Sequence, residues 1–123
     1  VPPPRARRAL GLGQALGGSG YTGGTGWPIV TGQDGDKANT VNILAGKQAR
    51  TVWKDTRKLG DQVAKMVDQI VKGGTVEVND TKTYNNNIKV VPTFLLPPLV
   101  VTKDTVKSSL VDSGFYTASD LGL

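Results

Sequence analysis

The chain contains no cysteine and no histidine. The first absence excludes a disulfide framework and a thiol nucleophile. With histidine missing as well, the usual ligand sets for zinc and copper are not available, and no metal or other cofactor is expected. No apolar run is long enough to cross a bilayer as a helix. Nor does any stretch show the charged start, apolar core and small-residue cleavage site of a secretory leader. The two Trp, three Tyr and two Phe are not interleaved with basic residues, so the chain lacks the basic, aromatic face expected of a nucleic-acid protein.

The composition that remains suits a loop-rich α/β piece. Hydrophobic residues make up 37% of the 123 positions and there are sixteen glycines, which is the balance of a globular chain rather than a coiled coil. This length supports at most one domain with a modest core. The formal charge is +5, but Arg5, Arg7 and Arg8 fall within the first eight residues. Beyond them the chain carries twelve basic and ten acidic residues, so the body is close to balanced. Residues 1–8, VPPPRARR, have no hydrophobic period, and three prolines favour a disordered, extended basic arm.

The chain is organised around residues 27–57. Trp27 to Thr31 is a short apolar, β-branched run that stops at Gly32. Gln33-Asp34-Gly35-Asp36 forms a turn in which Asp36 is placed to cap a helix. From Lys37, the residues Ala38, Val41, Leu44 and Ala45 recur at helical spacing until Gly46 ends the helix. Thr51-Val52-Trp53 is a second strand. Two strands joined by about a dozen helical residues make a right-handed βαβ unit with parallel strands. In such sheets ligands sit outside the carboxyl ends of the strands. Asp34 lies just past the first of these ends and Lys54 just past the second. With parallel neighbours about 4.8 Å apart, both side chains are within reach of one small polar ligand. A carboxylate only accepts hydrogen bonds and an ammonium only donates them, so together they suit hydroxyl groups. The same residues also suit plainer roles, a turn or cap for Asp34 and a solvated side chain for Lys54.

The other segments read as support for this unit. Ala9 to Gly20 is a weak helix, because each of Gly11, Gly13 and Gly17 costs about 1 kcal/mol against Ala. Gly17 to Gly26 is a flexible connection without phosphate-loop spacing. Asp55 to Lys72 is the clearest helix, with Leu59, Val63, Met66, Val67, Ile70 and Val71 forming an apolar stripe to pack on a sheet. Thr81 to Tyr84 and Ile88 to Val91 flank Asn85-Asn86-Asn87 as a hairpin. Val90 to Leu96 is an apolar run in which Pro92 indicates an edge or a change of partners. Leu99 to Thr102 is a strand, and Lys103 to Asp112 a short helix with Val106 and Leu110 facing inward. Phe115 and Tyr116 anchor the tail. Asn79-Asp80-Thr81 matches a glycosylation triplet, which arises often by chance.

In order along the chain, GWPIVTGQD, TVWKDTRKL, EVNDTKTY, KVVPTFLL, VTKD and LVDSGFY resemble the C-terminal part of a type I periplasmic sugar-binding protein of an ABC importer. The resemblance is to the multiple-monosaccharide and xylose-binding group, and it runs from about Ala9 to Leu123. It implies a partial C-terminal lobe, residues 9–123, with returning hinge segments at about 90–101, and a periplasmic or cell-surface setting. It also implies that Asp34 and Lys54 hydrogen-bond the hydroxyls of a monosaccharide such as glucose, galactose or xylose. The implied partners are the importer's membrane subunits. Two departures stand out. Residues 1–8 have no counterpart, and Leu96-Pro97-Pro98 replaces a hinge sequence that usually carries an acidic residue.

Three functions are therefore weighed. The first is a solute-binding protein or fragment of one, not an enzyme. The second is a non-binding, self-associating piece of the same fold, since exposed strand edges and the apolar segment 90–101 favour a homo-oligomer. The third is amine catalysis by Lys54 with Asp34 as base, which needs a desolvated pocket that no sequence feature indicates.

Overall fold

The computed structural model describes residues 4–22 and 26–123. They form two compact units: the residues up to Trp53 together with Leu99–Leu123, and Lys54–Pro98. A single domain was the expectation from length. The division follows from where apolar area is buried, because every buried side chain among the described residues lies in the first unit.

In the first unit, helix α1 (Pro4–Gly18) precedes strand β1 (Thr31–Gln33), helix α2 (Lys37–Leu44), strand β2 (Arg50–Trp53), strand β3 (Leu99–Thr102), a π-helical turn (Lys107–Val111) and helix α4 (Ala118–Leu121). The start of α1 corrects the expected arm. Residues 4–8 are helical, while residues 1–3 lie outside the described residues, as do residues 23–25 of the expected glycine-rich connection. Proline is well suited to the first helical position, where its missing N–H has no partner to lose. Ala6 and Ala9 are buried, and the Ala6 carbonyl accepts from Asn39 Nδ2 at 3.2 Å. Packing thus holds a glycine-rich helix whose intrinsic propensity is poor.

The sheet has the order β1-β2-β3. β1 and β2 are parallel, with Thr31 beside Arg50, Gly32 beside Thr51 and Gln33 beside Val52. The βαβ unit is therefore present, with its first strand moved towards the C-terminus. Pairing opens where Ala49 N donates to Val30 O at 2.8 Å. Before that point Pro28 has no donor and Ile29 is exposed. β3 runs antiparallel to β2, so the expected parallel sheet is mixed. Trp53 pairs with Leu99: the chain returns to the sheet beside the point where it left, and the returning strand must run back.

Helix α2 begins at its expected cap. Asp36 accepts from Asn39 N at 3.0 Å, and left-handed Gly46 follows the helix end. Its buried face is Asn39, Thr40 and Ile43, whereas Ala38 and Val41 are exposed. Of the stripe read from the sequence, only Leu44 packs against the core. Ile43, Trp53, Val101, Val106, Leu110 and Leu121 form the core, with Phe115 and Tyr116 against it. Val106 and Leu110 face inward as expected, and the two tail aromatics pack as anchors.

The second unit contains helix α3 (Thr56–Val71). Asp55 caps it through Arg57 N at 3.0 Å, and left-handed Gly73 follows it. The helix forms as expected, but its stripe is not buried: Leu59 is 53% and Ile70 61% exposed. Residues 54–98 contain no strand to receive the stripe. The expected hairpin is reduced to single bridges, Asn85 with Val90 and Asp80 with Thr93. Asn86 N donates to Lys89 O at 3.2 Å, and Asn87 is left-handed. The Asn79 side chain is committed to structure. Its Nδ2 donates to Leu95 O at 3.0 Å and its Oδ1 accepts from Leu95 N at 2.7 Å. Among the described residues no helix is long and apolar enough to cross a membrane.

Two caps contribute to the acid sensitivity of the molecule, as does Asp80, whose carboxyl is lowered first by its side-chain hydrogen bond with Thr83. The Asp55 carboxyl is held below the usual carboxylate range, first by hydrogen bonding to the Arg57 side chain. Asp120 closes a capping box with Thr117. Its carboxyl is lowered further, first by the Thr117 hydroxyl and then by Lys37. A lowered folded-state pKa adds stability above the ordinary carboxylate value and loses it as pH falls towards the lowered one. Stability should therefore decline below about pH 4, and Asp55→Asn with Asp120→Asn should flatten that decline in urea titrations across pH. Glycine is also required at position 35, where φ is +64° and a β-carbon would lie 2.8 Å from Trp53 Cδ1. Gly35→Ala should destabilise the first unit by about 2–4 kcal/mol, combining left-handed strain with overpacking, as read by chemical denaturation.

Candidate functional site

The candidate site is the carboxyl edge of β1 and β2. β1 reaches this edge in close contact with its surroundings, since a β-carbon on Gly32 would stand 2.6 Å from Gln48 Nε2. At its end Asp34 N donates to Val52 O at 2.7 Å, which extends the parallel ladder by one bond. Asp34 itself has φ +79°. This left-handed conformation is uncommon outside glycine, though Asp and Asn adopt it most readily. The residue is half-buried.

The following peptide is held from several sides. Gly35 N donates to Thr51 Oγ1 at 3.2 Å. Gly35 O accepts from the Tyr116 hydroxyl at 3.2 Å. Thr40 Oγ1 lies 3.4 Å from the same carbonyl and 2.9 Å from Asp36 O. Burial, with Asp36 and Asp120 nearby, raises the Tyr116 phenol above its ordinary value, so it remains a donor at neutral pH. The Trp53 ring lies over Gly35, with Phe115 edge-on to it at 5.0 Å.

Lys54 directly follows β2 and opens the second unit. It is exposed, and beside it Asp55 is taken up by α3 capping and by Arg57, whose Nε donates to Asp55 Oδ1 at 2.9 Å. Both expected site residues thus come just after the last residue of adjacent parallel strands, Asp34 in the first unit and Lys54 in the second. A half-buried carboxylate can accept from ligand hydroxyls, and an exposed ammonium can donate to ligand oxygens. Among the described residues no group of three or more His, Cys, Asp or Glu is placed to hold a metal ion.

Thr51 and Tyr116 have no place in the sequence reading of the site. Thr51 reads as a β-branched strand residue, as Val52 does. Tyr116 reads as a tail anchor, and nothing local connects it to a glycine 81 positions away.

No family model matches the chain. It is 46% identical over 114 residues to the multiple sugar-binding periplasmic receptor ChvE of Rhizobium radiobacter, covering 92% of this chain and 32% of that protein. It is 34% identical over 113 residues to the D-xylose-binding periplasmic protein of Escherichia coli, covering 92% and 33%. Among solved structures, an ABC transporter solute-binding protein from Clostridium phytofermentans with bound β-D-glucose matches with a TM-score of 0.82 at 51% identity. That match covers 92% of this chain and 34% of the other. The chain spans about a third of the length of the curated relatives it matches. Over about nine tenths of its own length, this chain is a homologue of one part of the periplasmic sugar-binding proteins of ABC transporters.

Proposed function

We propose that this chain carries part of the monosaccharide-recognition surface of a solute-binding protein, one that delivers a sugar such as glucose, galactose or xylose to an ABC importer. The observation that carries this reading is the Asp34 carboxylate in a left-handed turn at the carboxyl end of β1. The 51% identity to a glucose-bound solute-binding protein supports it. Asp34 accepts from sugar hydroxyls, and Lys54 donates to sugar oxygens. The setting is the periplasm or the cell surface, the macromolecular partners are the importer's membrane subunits, and no cofactor is required. The relatives are sugar-binding transport proteins, so we assign Lys54 no catalytic role.

Affinity follows from the number of contacts. A hydrogen bond to a charged group contributes about 1.5–3 kcal/mol net, so two such groups give about 3–6 kcal/mol. Lost translational and rotational freedom is of comparable size or larger, and micromolar binding needs about 8 kcal/mol. The chain alone should therefore bind glucose or xylose only in the millimolar range or more weakly. Asp34→Ala and Lys54→Ala should each reduce that binding further. Isothermal titration against a monosaccharide panel tests this. Micromolar affinity would overturn the contact count, and unchanged weak binding in both variants would overturn the residue assignment.

A second reading concerns the chain in isolation, and the exposed stripe of α3 favours it. Leu59, Val63, Val67, Ile70 and Val71 present apolar surface along one helix, and pairing of two copies through this face is a direct way to bury it. Sedimentation velocity should show association that rises with concentration and is lost in Val63→Glu/Ile70→Glu. A monomer at every concentration would end this reading.

A further inference from the structure

We propose that Thr51 and Tyr116 are positioning residues for Asp34, clamping the backbone of Gly35 so that the Asp34 carboxylate is presented to a hydroxylated ligand. The proposal rests on the sugar-binding reading for the identity of the ligand, but not for the clamp itself.

A left-handed backbone costs a residue with a β-carbon free energy, which the surroundings of the turn can offset. Here three successive backbone groups of the turn are each held by a different partner. The Asp34 N–H, bound to Val52 O at 2.7 Å, fixes the entry to the turn. The Gly35 N–H belongs to the peptide that Asp34 ψ rotates, and it is held by Thr51 Oγ1 at 3.2 Å. The Gly35 carbonyl belongs to the next peptide and faces Tyr116 and Thr40. A hydroxyl donates only one proton. That of Thr40 has its shorter bond to Asp36 O, 2.9 Å against 3.4 Å, which leaves Tyr116 as the donor to Gly35.

The phenol is itself held in place. Phe115 contacts Trp53 at 5.0 Å and Tyr116 at 4.8 Å between ring centroids, edge to face in both cases. Trp53 in turn closes over Gly35. The aromatic row therefore links the C-terminal segment to the turn bearing the carboxylate. Without the Thr51 acceptor, a buried N–H loses its partner, and the peptide is released to seek another. Without the Tyr116 hydroxyl, the carbonyl keeps only the longer Thr40 contact.

The test uses the full chain and three variants, Thr51→Val, Thr51→Ser and Tyr116→Phe, followed by backbone NMR with amide hydrogen exchange and glucose titration. Thr51→Val and Tyr116→Phe should each speed exchange at Asp34 and Gly35 by about tenfold. Their Asp34 Cα and Cβ shifts should move away from left-handed values, with exchange at Val101 and Leu110 unchanged. Thr51→Ser, which keeps the acceptor, should behave as the native chain. The glucose-induced shift at Asp34 should weaken wherever exchange rises. Native exchange and shifts in both Thr51→Val and Tyr116→Phe would overturn the clamp. Faster exchange with an unaltered glucose response would overturn the positioning role. If the native chain gives no glucose response while the variants exchange faster, the clamp stands and the sugar reading fails. Tyr116→Phe removes only an oxygen, so it decides the matter alone if Thr51→Val does not fold.

Discussion

The contact between the Trp53 indole and Gly35 governs the functional edge of the first unit. A β-carbon at position 35 would stand 2.8 Å from Cδ1 of that ring, so the turn after β1 passes the last residue of β2 only because glycine is there. Once the turn is seated, Asp34 is placed at the strand end and Asp36 at the start of α2. Thr51 and Tyr116 then meet a peptide already in position. The ring that imposes this contact is also a core residue, packed with Ile43, Val101, Val106, Leu110 and Leu121. One side chain thus connects burial of apolar surface, the main source of folding free energy, to the placement of a polar group at the surface.

The parts of the fold legible in the sequence are those with a local cause. Asp36 and Asp55 announce helix starts because a side-chain oxygen meets an N–H two or three residues on. Gly46 and Gly73 mark ends because left-handed backbone favours glycine. The limits of β3, Leu99–Thr102, agree with a β-branched run between two prolines and a polar turn. What the sequence misplaces depends on distant partners. The first strand is a longer apolar run than the ladder it forms, and β2 determines where pairing begins. In α2 the buried face is Asn39, Thr40 and Ile43, since Asn39 and Thr40 meet α1 and the Gly35 turn through hydrogen bonds that hydrophobic periodicity does not register. Residues 4–8 are helical because Ala6 and Ala9 find a packing surface. Of the candidate site, Asp34 and Lys54 follow from strand spacing, whereas Tyr116 reaches Gly35 only through tertiary structure.

The second unit shows how far local signals go without a core. α3 has a cap, a terminator and a strongly one-sided stripe, and it forms. No residue of this unit is buried. Two of its ion pairs, Lys72 with Asp68 and Lys65 with Glu77, are largely exposed. Exposed pairs of this kind contribute about 0–1 kcal/mol and do not replace apolar burial. Helix propensity and capping specify the element, and burial would specify its neighbours.

The pairing of Trp53 with Leu99 makes residues 54–98 a cassette strung between two adjacent strand ends. Antiparallel partners lie about 4.5–5.5 Å apart, so the sheet requires of the intervening chain only that its ends meet at that spacing. The entropy of meeting this condition grows with the logarithm of length. The register of β2 against β3 is therefore nearly indifferent to how much polypeptide the cassette contains. Such a junction lets the inserted part lengthen, shorten or be exchanged over evolutionary time while the strand ends bearing the carboxylate turn stay where they are.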